Sequence, residues 1–425
     1  MLKDTLTPKS RGARPAPDHA ARPSQTRECQ HDCRRFLRRV GLLILTAALF
    51  VGVNIIFIFS AGENTGFPAI VAEQLATDGI YGTALSQNPY AHKLELAAAI
   101  KPEVLVLGSS RVMQLRREFF TASFANAGGA VNYIAEGLGF LRELAPRHLP
   151  RIVLLGADFW WFSANYPQPK SFPYHENDGC RLTFEKMTTP FQWLRRGDIT
   201  FSDYVSILLT GRRTNPVTSH YSLGVRAITR GDGFRADGSY QFGRLIFGFH
   251  NAFLDTGFTN SLCRVQTGTT QFVHDDRVDP SRMAQLADLI RFCGEKGIKL
   301  VVFLPPVTNR IYQAIMDHPE QYGHLTALRR AIKTLPVEAY DFTEISSVGS
   351  TDCECLDGFH GGDVTYQRLL LKILEINPHS PLAYVVDEAA LRANVARNAG
   401  HVLTKFDPDK YKYNELDFLK IGCPK

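Results

Sequence analysis

The longest apolar run in the chain is VGLLILTAALFVGVNIIFIFS, residues 40–60, which holds no charge. As a helix rising 1.5 Å per residue it would be about 31 Å long, the thickness of a bilayer core, and it predicts one transmembrane helix. Beyond it the pattern changes to short apolar runs separated by helical spacing. Residues 103–107, 124–128, 151–155, 299–304 and 337–342 read as strands, and 90–100, 133–144, 283–296 and 309–335 as mostly helix. Continuous apolar strands alternating with helices predict an α/β fold whose parallel sheet is covered on both faces. In such sheets sites gather at the carboxyl ends of the strands.

Between about 163 and 280 this rhythm lapses, and the stretch reads as an insertion or subdomain rich in Gly, aromatics and Arg. Eight arginines fall in 193–244 (Arg195, Arg196, Arg212, Arg213, Arg226, Arg230, Arg235, Arg244) without one lysine. They fit a solvated or lipid-headgroup face better than a set of forks for carboxylates or phosphates. The expected organisation is a disordered basic tail over 1–39, the transmembrane helix over 40–60, and one large domain over 61–425 carrying the insertion.

Composition is globular, 44% hydrophobic and 21% charged, which excludes a wholly disordered or collagen-like chain. The formal net charge of +6 lies entirely in the tail, where ten Lys and Arg face four Asp and Glu, so the bulk is neutral and a nucleic-acid partner is not expected. Arg34, Arg35, Arg38 and Arg39 directly precede the apolar run. The positive-inside rule places that flank in the cytoplasm and the large domain on the far side, periplasmic or extracellular, with the protein held in the inner (cytoplasmic) membrane. A cleaved signal peptide is the rival, but its basic region would be 39 residues long and Ser60-Ala61-Gly62 is a poor exit. Six of the eight cysteines (Cys180, Cys263, Cys293, Cys353, Cys355, Cys423) then lie in an oxidising compartment and allow up to three disulfides.

Small or polar residues mark three strand ends: Gly108-Ser109-Ser110, Asn126-Ala127-Gly128 and Gly156-Ala157-Asp158. A fourth block, Asp357-Gly358-Phe359-His360, opens a later helix. In order and spacing over roughly 100–375 these blocks resemble the SGNH/GDSL hydrolase superfamily. The resemblance implies a three-layer sandwich around a central parallel sheet, Ser110 as nucleophile, Gly128 with Ser110 as backbone oxyanion donors, His360 as general base and Asp357 as its orienting carboxylate. A serine hydroxyl needs such a base to become a nucleophile, and a neutral imidazole can take and return its proton. Ser109, Arg111, Asn126 and Asp158 are the expected lining residues. No cofactor or metal is expected.

Two positions depart from the family pattern: Ser109 stands at its usual Asp and Asp158 at its usual Asn. An ionised carboxylate at 158 would repel an oxyanion, so Asp158 must be protonated, turned away or given another task. Such departures occur in membrane-anchored relatives that look like acyl-transfer accessories. The resemblance thus implies an acyltransferase or esterase acting on ester-linked acyl groups, expected to be acetyl, of a cell-envelope polysaccharide, with a membrane acyl-donor protein as a further partner. The rival is a non-catalytic glycan-binding or assembly protein with a degenerate site. Three further features have bland readings beside functional ones. Arg111 would either steer an anionic substrate or form a structural salt bridge, Phe159-Trp160-Trp161-Phe162 would stack on sugars or pack in the core, and Cys353, Cys355 and His360 form only a weak metal set because exported thiols oxidise.

Overall fold

The computed structural model describes residues 23–85, 89–168, 182–214, 220–243, 254–404 and 415–425. Its first element, α1 (Pro23–Ala61), is a single helix of 39 residues. The stretch Cys29–Ala61 is long and apolar enough to cross a membrane, with a mean hydropathy of 2.7 over its 18-residue apolar window. The tail expected to be disordered through residue 39 is therefore helical from Pro23 onward. Helix nucleation is the costly step, and once the apolar run is helical the arginines and glutamines before it extend it at little cost. Residues 1–22 lie outside the described residues.

The large domain is α/β. Five strands, β1 (Val104–Gly108), β2 (Phe124–Gly128), β3 (Ile152–Gly156), β4 (Lys299–Leu304) and β5 (Glu338–Asp341), form one sheet in the spatial order β2-β1-β3-β4-β5. Every pairing is parallel. Successive residues of one strand feed opposite cores: Leu105, Leu107, Val153 and Leu155 join one buried cluster, and Val104, Val106, Ile152 and Leu154 the other. Helices α2 (Pro89–Ile100), α3 (Ile134–Leu144) and α4 (Pro280–Glu295) supply the first cluster, and α5 (Asp363–Ile376) the second. The strands can thus be apolar throughout. The chain reverses direction across the sheet between β1 and β3, the switch point at which open parallel sheets leave a crevice beyond their carboxyl ends.

The insertion is more structured than its sequence foretells. Short strands Arg213–Thr214, Tyr221–Leu223, Asp232–Phe234 and Tyr240–Phe242 combine with Ile80–Tyr81 into a second five-stranded sheet. The loop after Phe234 reaches the edge of the main sheet, where Asn126 N–H donates to Asp237 O at 2.7 Å. Arg117 N–H also donates to the Asp237 carboxylate, at 2.8 Å, so the edge strand β2 is covered rather than exposed.

Candidate active site

Gly108, Gly128 and Gly156 end their strands in mutual register. Their lack of a side chain lets the turn Ser110–Gln114 lie directly on the strand ends: a Cβ on Gly156 would collide with Val112, and one on Gly108 would sit 2.8 Å from Val112 Cγ2. Ser109 caps that turn, its hydroxyl accepting from Arg111 N–H at 3.2 Å. Ser110 thereby stands at the end of the strand beside the switch point, half-buried.

The four-residue block near the carboxyl end is brought to the same place. Ser110 Oγ is 2.8 Å from His360 Nε2, and His360 Nδ1 is 2.7 Å from Asp357 Oδ2. Asp357 Oδ1 accepts from the N–H groups of Phe359 and His360, at 2.9 and 2.8 Å, which folds the block into a tight turn. Burial works against the Asp357 charge, but the adjacent imidazole and the two backbone donors outweigh it and hold the carboxyl below its ordinary range. An ionised Asp357 fixes the proton on Nδ1, leaving the Nε2 lone pair facing the serine hydroxyl. The three residues together can move a proton off Ser110 and return it to a leaving group.

Several residues that sequence reasoning did not single out hold this turn in place. Thr308 donates twice to Gly358 O, from its N–H at 3.1 Å and its hydroxyl at 3.0 Å. Asp255, from the insertion, accepts from Gly358 N–H at 3.2 Å and from the Ser261 hydroxyl at 2.5 Å. Neither lies in a motif. Asp255 sits where the alternation of strand and helix has lapsed, so only the tertiary contact discloses it.

Arg111 and Asp158 form one buried unit. The guanidinium, 1% exposed, donates to Asp158 Oδ1 at 3.0 Å, Phe359 O at 2.9 Å, Pro305 O at 2.7 Å and Pro306 O at 2.6 Å. Its carbon lies 5.2 Å from the centroid of the Trp160 ring. Of the two roles open to Arg111, the structure places it in the salt bridge. Asp158 is accordingly neither a free carboxylate nor an oxyanion donor but the partner of a cation. Burial raises its affinity for a proton, and Arg111 with the Ser109 hydroxyl only partly reverses this.

Gly128 and Asn126 also differ from expectation. Gly128 N–H donates to Asn126 Oδ1 at 2.6 Å and is not free to meet an oxyanion. Asn126 is 1% exposed and, instead of lining the site, gives its amide N–H groups to Val112 O and Leu115 O at 2.8 and 2.7 Å. A short side chain two residues before a backbone donor is well placed for this competition. Ser110 N–H, by contrast, has no hydrogen-bond partner among the described residues.

Phe159, Trp160, Trp161 and Phe162 are all buried and belong to the core. Cys353 is joined to Cys423, which removes it from any metal set, and Cys263, Cys293 and Cys355 are free. Cys180 and Arg244 lie outside the described residues. Among the described residues no cluster of three metal-ligating side chains occurs. No family model matches the chain, and no curated protein matches its sequence.

Proposed function

We propose that this protein is a membrane-anchored, serine-dependent acyl-transfer enzyme with an SGNH-like three-layer sandwich, acting on ester-linked acyl groups of a cell-envelope glycan. The observation that carries this reading is the unbroken relay from Ser110 through His360 to Asp357 at the mouth of a parallel sheet. Ser110 Oγ attacks the acyl carbonyl while His360 Nε2 takes its proton. The tetrahedral oxyanion meets Ser110 N–H, and collapse expels the donor alcohol with the proton returned by His360. A sugar hydroxyl then attacks the acyl-serine for transfer, or water for hydrolysis. The glycan and the acetyl group follow from the resemblance in sequence. The arginines before the apolar run favour a cytoplasmic amino terminus, and the Cys353–Cys423 disulfide suits an oxidising compartment for the domain.

The second reading, a glycan-binding or assembly protein without catalysis, is favoured by the engaged Gly128 N–H and the Arg111–Asp158 pair, which withdraw two oxyanion donors. A serine-reactive phosphonate separates the two. The full-length protein in detergent is expected to take up one phosphonate on Ser110, and Ser110→Ala or His360→Ala to abolish it. A folded wild-type protein that remains unlabelled would favour the non-catalytic reading.

A further inference from the structure

Helix Phe201–Thr210, FSDYVSILLT, is apolar around most of its circumference. One side is packed. Ile207 is buried in a cluster with Phe57, Ala61, Ile199, Val225 and Ile228, and Tyr204 stacks on Phe57 with ring centroids 4.7 Å apart. On the other side Phe201 and Leu209 are 69% and 80% exposed. Eight positions apart, they share a face. A helix with apolar residues on both sides needs apolar surroundings on both sides, and the described residues supply only one.

What it packs against identifies the missing surroundings. Residues 54–61 are the last turns of α1, and Tyr204 donates to Asn54 there at 3.4 Å. In those turns Phe57 and Ile58 are buried in the domain while Ile56 and Phe59 remain 56% and 49% exposed. Phe201–Thr210 thus packs its buried side on the last turns of α1, where apolar side chains also remain exposed. The preceding helix, Phe184–Arg196, adds an exposed Phe184 and ends in exposed Arg195 and Arg196, cations suited to lipid phosphates. The polar start of Phe201–Thr210 is closed on itself. Thr200 N–H and hydroxyl donate to Asp203 at 3.1 and 2.7 Å, and Asp203 N–H donates to the Thr200 hydroxyl at 3.0 Å, so a capping box satisfies two of the backbone donors at this end.

We propose that the helix pair Phe184–Arg196 and Phe201–Thr210 is an interfacial membrane anchor, with Phe201 and Leu209 at the acyl boundary of the leaflet in which α1 ends and Arg195 and Arg196 among its phosphates. The occupant is the lipid bilayer. The inference rests on α1 being a membrane span and is independent of the chemistry at Ser110.

The test places p-benzoylphenylalanine at Ile44, Phe201, Leu209 or Tyr384 in the full-length protein, reconstituted in nanodiscs of phosphatidylethanolamine and phosphatidylglycerol. All four side chains are exposed, at 63%, 69%, 80% and 77%, so the substitutions leave the core intact. Irradiation is expected to add the mass of one phospholipid at 44, 201 and 209 and none at 384. Lipid adducts at 44 with none at 201 and 209 overturn the interfacial anchor while leaving the span. Protein–protein adducts at 201 and 209 in place of lipid assign the face to a protein and overturn it equally. No lipid adduct at 44 removes the span and the proposal with it.

Discussion

Arg111→Met tests whether Arg111 and Asp158 form one coupled, buried unit. The guanidinium has four acceptors, the Asp158 carboxylate and the carbonyls of Phe359, Pro305 and Pro306, and both charged side chains are at most 1% exposed. Removing one partner of a buried pair leaves the other charge unpaired and typically costs about 3–5 kcal/mol. Arg111→Met and Asp158→Leu are each expected to fall in that range. The double variant leaves no orphaned charge, only three carbonyls short of a donor, and should lose at least ~3 kcal/mol less than the sum of the singles. Losing Arg111 also removes the main influence opposing the burial-raised pKa of Asp158. The folded variant then binds a proton that the unfolded chain releases near its ordinary value of about 3.9, so its stability should fall as pH rises above that point. Urea midpoints of the full-length protein in detergent at pH 5 and pH 8 read both effects. Additive losses to within ~0.5 kcal/mol, or an Arg111→Met loss below ~1 kcal/mol, would refute the coupled unit.

Asp357→Asn keeps the acceptor for the Phe359 and His360 N–H groups but turns a donor toward Nδ1, moving the imidazole proton to Nε2; phosphonate labelling of Ser110 should slow about 10⁴-fold, and a loss under tenfold would show that Asp357 does not set the tautomer. Glu136 is 2% exposed with one carboxylate oxygen unpartnered, and burial pushes its pKa up to about 7. Between its unfolded value near 4.3 and that point the native state holds the extra proton, so this group's contribution falls as pH rises, by about 4 kcal/mol in all. Glu136→Gln should therefore gain stability at pH 8 and change little at pH 4; equal urea shifts at both pH values would remove the assignment. Under denaturing, non-reducing alkylation Cys263, Cys293 and Cys355 should react while Cys353 and Cys423 resist until reductant is added, and modification of Cys353 before reduction would contradict the pairing.

The main sheet was legible because its strands are apolar on both faces and most end in small residues: 124–128 and 299–304 coincide with β2 and β4, and the other three are off by one position at each end. The second sheet was not, since strands of two or three residues are too short for alternation to register, and Ile80–Tyr81 pairs with segments some 140 residues away. At the site, the types and order of Ser110, Asp357 and His360 showed in the sequence. What Arg111 and Asp158 do depended on their converging from β1 and β3 into one buried space, which a linear reading leaves undecided. Asn126 was legible as a polar strand-end residue, but its attachment to Gly128 N–H and to the turn beyond Ser110 exists only once β1 and β2 pair.

Those attachments bear on transfer against hydrolysis. Asn126 pins Val112 O and Leu115 O, stiffening the turn that presents Ser110, and the same side chain occupies Gly128 N–H. Arg111 and Asp158 brace Phe359, the residue before the base, and thereby hold the third-strand position as structure. Both positions at which the resemblance implies an oxyanion donor are thus engaged as supports for the Ser110–His360–Asp357 arrangement. Loss of one such donor typically lowers a rate by about 10²–10³, so Ser110 N–H alone would leave attack on an unactivated ester slow even with a well-placed base. Positioning can offset much of that deficit when an acyl donor and an acceptor hydroxyl are delivered together, and free water gains nothing from it. Under the proposed function the geometry accordingly favours transfer between bound partners over hydrolysis of free esters. A simple aryl acetate should then turn over slowly, and an added alcohol acceptor should carry off most of the acyl group.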